Sequence, residues 1–142
     1  MRLWSKDLLP VLPTMQLKGQ WRECCLIAKA LHNGNLNHIL VNRVKDYPIE
    51  HFYVYGHLVW LEMRTRGYKC YISRFTDYFD DCSVTITKDE LFDGWHNDRY
   101  LRQCLYNLEE KAICGGIPAD EWQKIYDAYG ERFDLWSGKE GE

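Results

Sequence analysis

Glu23 is the residue whose setting most suggests chemistry. It closes the run Gln16-Leu17-Lys18-Gly19-Gln20-Trp21-Arg22-Glu23, and at about 100° per helical residue it shares a sector with Gln16, Gly19, Ile27 and Ala30, none of them charged. Helical side chains lean toward the N-terminus, so Glu23 projects over Gly19, where the missing side chain leaves room for a ligand. A carboxylate in that position is either a structural hydrogen-bond acceptor or an acid/base whose pKa partial burial has raised, and the pattern leaves both open. The chain opens Met1-Arg2-Leu3-Trp4. Arg2 is too large for ordinary methionine removal, so Met1 is expected to remain and carry the terminal amine. An α-amine, with an ordinary pKa of about 7.7–8.0, is appreciably neutral at cell pH, whereas a lysine near 10.4 is not. Such an amine needs little activation as a nucleophile, and together with a proton-moving carboxylate it is what imine chemistry requires.

The elements that must hold these groups read as helices almost throughout. Thr14 is placed to cap the first helix and Asn33-Gly34 to stop it, with Leu17, Trp21, Cys24, Ala28 and Leu31 on one apolar face. Pro48 opens a second, aromatic-rich helix through Phe52, Tyr55, Val59 and Met63 to Gly67. Thr87-Lys88-Asp89-Glu90 has the form of a capping box. A helix over 97–112 stops at Gly115-Gly116, and a last one starts at Pro118 and Asp120 and ends at Gly130. Residues 82–87 are the only stretch suited to a strand. The expectation is an all-α, compact, single-domain bundle of four to five helices over residues 1–142, with at most one short strand pair and a frayed tail over 136–142.

Charge is unevenly shared. Residues 1–76 carry eleven bases against five acids, +6, and residues 77–142 carry seven bases against sixteen acids, −9. A polyanion would be met by the first half, where contacts at short range outweigh a net charge of −3 that salt screens beyond about 10 Å; a merely uneven solvated surface is the plainer alternative. Lys18, Arg22 and Lys29 line a stripe that could face phosphates. His38 sits in the loop just past Gly34, where it could line the site or stand on the surface. No glycine-rich phosphate loop is present. Cys24, His32 and His38 lack a third ligand at diagnostic spacing, so no metal is expected, and Cys25 has no local partner for nucleophilic work. Trp95-His96-Asn97-Asp98-Arg99-Tyr100 could stack bases, but capping and core packing suit it better. Six cysteines without a C-x-x-C pair, and no run long enough for a signal peptide or membrane span, lead to the expectation of free thiols in a reducing cytoplasm.

Residues 16–23 resemble the His-Leu-x-Ala-Glu-Tyr-Arg-Glu segment of the pyrimidine-dimer DNA glycosylase (endonuclease V) family, and Met1-Arg2-Leu3-Trp4-Ser5 matches the opening of its bacterial members. Leu61-Glu62-Met63-Arg64-Thr65-Arg66-Gly67-Tyr68 is similar to a later helix end of that family, where an acid is followed by Lys-Arg-Gly-Phe. The similarity covers about residues 1–33 and 58–69. It implies a small all-α enzyme that binds damaged duplex DNA, kinks it, attacks the sugar C1′ with its terminal amine and nicks the strand through the resulting imine, without a cofactor. Carried over residue by residue, Met1 would be the nucleophile, Glu23 the acid/base, and Arg2 and Arg22 the groups on phosphates or lesion. Gln16 replaces the family's histidine, Gln20 its first glutamate and Leu26 an arginine, and the lost bases predict weaker duplex binding.

Two other readings remain open on the sequence. One keeps the fold and basic pocket but makes the protein a non-catalytic binder of small nucleotides or modified nucleic acid. The other makes Glu23 a buried acceptor in a purely structural protein.

Overall fold

The computed structural model describes residues 1–138. A 3-10 helix over Lys6–Val11 is followed by α1 (Thr14–His32), a second 3-10 helix over Asn42–Asp46, α2 (Ile49–Thr65), the single turn α3 (Ser73–Thr76), α4 (Asp98–Ile113) and α5 (Ala119–Tyr129). The four long helices stand where the apolar period puts them, whereas the 3-10 helices and α3 are too short to show a period.

The first helix does not begin as expected. Pro13, not Thr14, takes the cap position and makes no side-chain bond there. The Thr14 N–H is instead taken by the Glu121 carboxylate of α5 at 2.5 Å, a cap from a distant element that no local pattern announces. The other end follows the sequence: Gly34 adopts φ +70°, and Asn35 N–H closes back onto Ala30 O at 2.9 Å.

No strand occurs among the described residues, which corrects the strand read over 82–87. At its middle Thr85 turns to a side chain instead of a neighbouring strand, giving its N–H at 2.9 Å and its hydroxyl at 3.2 Å to the Glu50 carboxylate at the start of α2. The capping box forms, with Thr87 N–H on Glu90 Oε1 at 3.0 Å and Glu90 N–H on Thr87 Oγ1 at 3.4 Å, but it opens a series of turns rather than a helix.

The expected faces build the core. Leu17, Trp21, Cys24 and Ala28 of α1 are buried with Phe52, Tyr55, Val59 and Met63 of α2, while Leu31 is half-buried. At Gly56 α2 approaches α3 so closely that a Cβ would lie 2.0 Å from the Phe75 ring. That absence of a side chain lets Phe75 pack among Phe52, Tyr53 and Phe79.

What positions the chain start is a lacing of hydrogen bonds between distant elements. Leu3, Trp4 and Ser5 are buried. Tyr100 of α4 donates its hydroxyl to Leu3 O at 2.5 Å, Tyr55 of α2 to Trp4 O at 2.6 Å, and Lys6 N–H reaches His96 Nδ1 at 3.0 Å. Lys6 is not a surface cation, since its Nζ is buried on the carbonyls of Lys88 and Leu91, both at 2.7 Å. Trp136, where fraying was expected to begin, is held: its N–H donates to Glu109 at 2.8 Å and its carbonyl accepts Trp122 Nε1 at 2.9 Å. The end of that expected tail, 139–142, lies outside the described residues.

Candidate active site

Helix α1 offers Gln16, Gly19, Gln20 and Glu23 along one edge, and the pinned N-terminal segment lays Met1, Arg2 and Trp4 beside it. Together with Met15 and with Asn107 and Lys111 of α4 they line a cleft of about 270 Å³. The pattern alone predicted space above Gly19, and a Cβ there would meet nothing nearer than an Arg22 guanidinium nitrogen at 3.9 Å.

Gln20 is the buried joint of this arrangement. Its Oε1 accepts Trp4 N–H at 2.7 Å and the Tyr55 hydroxyl at 3.0 Å, while its Nε2 donates to Arg2 O at 3.0 Å and Glu23 Oε2 at 3.4 Å. All the amide's capacity is therefore spent on fixing the terminal segment against α1 and α2 and on turning Glu23 toward that segment. A carboxylate here could accept the first two bonds but donate neither of the others, so this joint requires an amide.

Glu23 is half-buried, and burial raises its carboxyl pKa above the ordinary carboxylate value. Four positive influences oppose the shift in falling order: the Met1 amine, the Arg2 backbone N–H, His38 and Arg22. The outcome is a carboxyl more ready than usual to carry a proton, beside the terminal amine. Arg2 lies along the Trp4 ring at 5.4 Å from its centroid, so its guanidinium stays at the cleft.

The sequence-derived residues divide. Met1, Arg2, Gln16, Gly19 and Glu23 come together in the cleft. Arg22 is exposed at its edge, and His38 lies near Glu23 without lining the cleft. Lys18 does not line it: its ammonium sits over the Tyr68 ring at 4.5 Å. Trp95 and His96 are buried, and Asn97 caps α4 by accepting Tyr100 N–H at 3.0 Å, the capping and core role. Burial pushes the Cys25 thiol up to about 11, which deprives it of nucleophilic thiolate at neutral pH.

Sequence reasoning missed Gln20 as an organiser, Tyr55 as its partner, and Asn107 and Lys111 as lining. Gln20 stands three residues before Glu23, a spacing at which helical side chains meet, and that was the one available signal. Asn107 and Lys111 share a face of α4 by their spacing of four, but nothing in the sequence ties that face to α1. A second hollow of about 520 Å³ adjoins the cleft and shares Arg2 and Asn107 with it; Arg43, Trp95 and Tyr100 form much of its wall. Arg43 stacks on Trp95 at 5.4 Å.

An all-α chain with a carboxyl and a terminal amine in one cationic cleft falls in the class of DNA glycosylases once it is compared with known families. A family model described as pyrimidine dimer DNA glycosylase matches residues 1–73, the half that carries Met1, Arg2, α1, His38 and α2. The chain belongs to the pyrimidine dimer DNA glycosylase family. DNA is accordingly its partner. No match was found among curated proteins or among solved structures. Among the described residues no helix is long and apolar enough to cross a membrane.

Proposed function

We propose that this glycosylase works on damaged duplex DNA, such as pyrimidine dimers, through an imine formed on the Met1 α-amine, and that it also nicks the strand. The neutral amine attacks C1′ of the damaged nucleotide; the N–C1′ bond forms as the glycosidic bond breaks, and the departing base takes its electron pair and a proton. Opening of the sugar ring then leaves the imine, and removal of a C2′ proton expels the 3′ phosphate. Glu23 is the group that gives and takes these protons. Its raised pKa favours holding one before the attack, and once ionised it faces the positive charge that develops on the imine nitrogen.

Arg2, Arg22 and Lys111 surround the cleft with the cations that phosphates need. Lys111 comes from the acidic half, so the DNA face is not the basic N-terminal half alone. Within that half Lys6 and Arg66 are spent on backbone carbonyls, Arg66 on Leu12 O at 2.7 Å and Leu9 O at 3.1 Å.

The observation that carries the reading is the cleft that Met1 and Glu23 line together, with Arg2 between them in its wall. Borohydride trapping of untagged protein on duplexes bearing a pyrimidine dimer or an abasic site tests it, with mass mapping of the adducted peptide. An adduct on the Met1 amine with both substrates is expected. Adduct on the abasic duplex alone would remove the dimer as substrate, and none on either would remove the imine mechanism. Glu23→Gln should abolish glycosidic cleavage while leaving the fold intact; a loss of folding instead would favour Glu23 as a structural acceptor.

A further inference from the structure

Between α1 and the second 3-10 helix the chain makes a tight loop whose two ends are sunk in the core, Leu36 at 6% exposure and Val41 at 0%. Between them Ile39 is 85% and Leu40 49% exposed. Slackness does not account for this. His38 O accepts the N–H groups of Val41 at 3.0 Å and Asn42 at 2.8 Å, His38 N–H donates to Asn42 Oδ1 at 3.0 Å, and Leu40 N–H donates to His38 Nδ1 at 3.3 Å. Lys45 Nζ caps Leu36 O. The loop is braced at its base and holds two large aliphatic side chains out in water.

A single exposed aliphatic residue says little, but the place of this pair is informative. Ile39 and Leu40 wall the hollow that Arg2 and Asn107 share with the catalytic cleft, and Arg43 stands beside them on the Trp95 ring. An apolar tip flanked by two arginines at the edge of a DNA-processing site has the chemistry of a side chain that enters a base stack while cations hold the adjoining phosphates. The reaction supplies the need, because C1′ of a stacked nucleotide is out of reach of an amine anchored in a cleft until the duplex is opened.

We propose that Ile39 and Leu40 form a wedge that enters the base stack of duplex DNA next to the nucleotide under attack, with Arg2 and Arg43 on the flanking backbone. The proposal rests on the reading of the site given above, and its test separates the two. Wild type, Ile39→Ala/Leu40→Ala and Ile39→Met/Leu40→Met are compared by borohydride trapping on an abasic site placed in a duplex and in the same strand alone. A parallel arm follows the fluorescence of 2-aminopurine beside a non-reactive tetrahydrofuran abasic analogue in duplex DNA.

The alanine pair should lose at least about tenfold in duplex trapping, with single-strand trapping changed less than about twofold, since a single strand has no stack to part. It should also lose the 2-aminopurine rise that wild type produces. The methionine pair, still large and apolar, should retain both. Equal duplex trapping and an undiminished rise in the alanine pair would overturn the wedge, as would an equal loss on duplex and single strand. Absence of trapping by wild type on either form would overturn the imine reading instead, and the 2-aminopurine arm, which needs no chemistry, would still decide the wedge. Melting temperatures should agree across the three proteins because the substituted side chains are exposed.

Discussion

Gln20→Met should destabilise the protein and slow its chemistry by separable amounts. Methionine keeps the volume of the side chain and removes all four hydrogen bonds, so the change isolates their contribution from that of packing. Trp4 N–H, buried and 2.7 Å from Gln20 Oε1, would be left without an acceptor, which costs about 1–3 kcal/mol. Tyr55 keeps its bond to Trp4 O, so its share is smaller. Arg2 O and the Glu23 carboxylate lie toward the cleft and can take water, which limits each loss to about 0.5–1.5 kcal/mol. Together the change should cost about 2–6 kcal/mol. For a chain of 142 residues that corresponds to a fall in melting temperature of about 7–20 °C, read by circular dichroism at neutral pH. Gln20 also fixes the segment that ends in the Met1 amine, and a displacement of about 1 Å of a reacting group costs on the order of 100-fold in rate. Borohydride trapping well below the melting temperature should therefore fall by about that factor. A variant that melts with wild type would refute the energetic argument. One that is destabilised as expected but traps at the wild-type rate would refute the positioning role.

Three further consequences can be measured. Burial, with Lys6 and Arg43 nearby, lowers the His96 pKa from 6.5 to about 3, so the neutral ring favours the folded state above pH 6.5 and that stability is lost as pH falls toward 3. Between pH 6.5 and 5 this one group should remove about 2 kcal/mol, seen in guanidinium midpoints as a steeper decline for wild type than for His96→Phe; parallel declines would dismiss it. Burial acts oppositely on Glu23: a raised carboxyl pKa favours the fold at low pH, and that contribution fades as pH rises from the ordinary carboxylate value through the raised one. Glu23→Gln should flatten that limb of the stability profile, and an unchanged limb would count against the raised pKa. Gly56→Ala sets a Cβ 2.0 Å from the Phe75 ring and should destabilise by about 1–3 kcal/mol, because overpacking outweighs the gain in helix propensity. Pairing it with Phe75→Leu should recover part of the loss, and strict additivity in that double variant would show that the ring is not what Gly56 accommodates.

Much of this protein is determined by the order of its residues alone, wherever the deciding physics is local. Period and terminators locate α1, α2, α4 and α5, because a buried face repeats every 3.6 residues and Gly34 and Gly67 adopt the positive φ that ends a helix cheaply. The lone carboxylate over an open Gly19 follows from helix geometry, and the run from 16 to 23 carries the resemblance that the family match over 1–73 bears out. Tertiary structure decided the rest. Glu121 capping α1, Glu50 taking the Thr85 donors of the expected strand, and Lys111 and Asn107 closing the cleft are contacts between residues far apart in the chain, which no local period encodes. The same holds for the charges: sequence counts Lys6, Lys18 and Arg66 with the other bases, but folding spends them on carbonyls and a tyrosine ring. The setting of Glu23 belongs to both levels, since its identity and helical neighbours are written in the sequence, while its burial and its place in one cleft with Met1 exist only once the terminal segment is laid across α1.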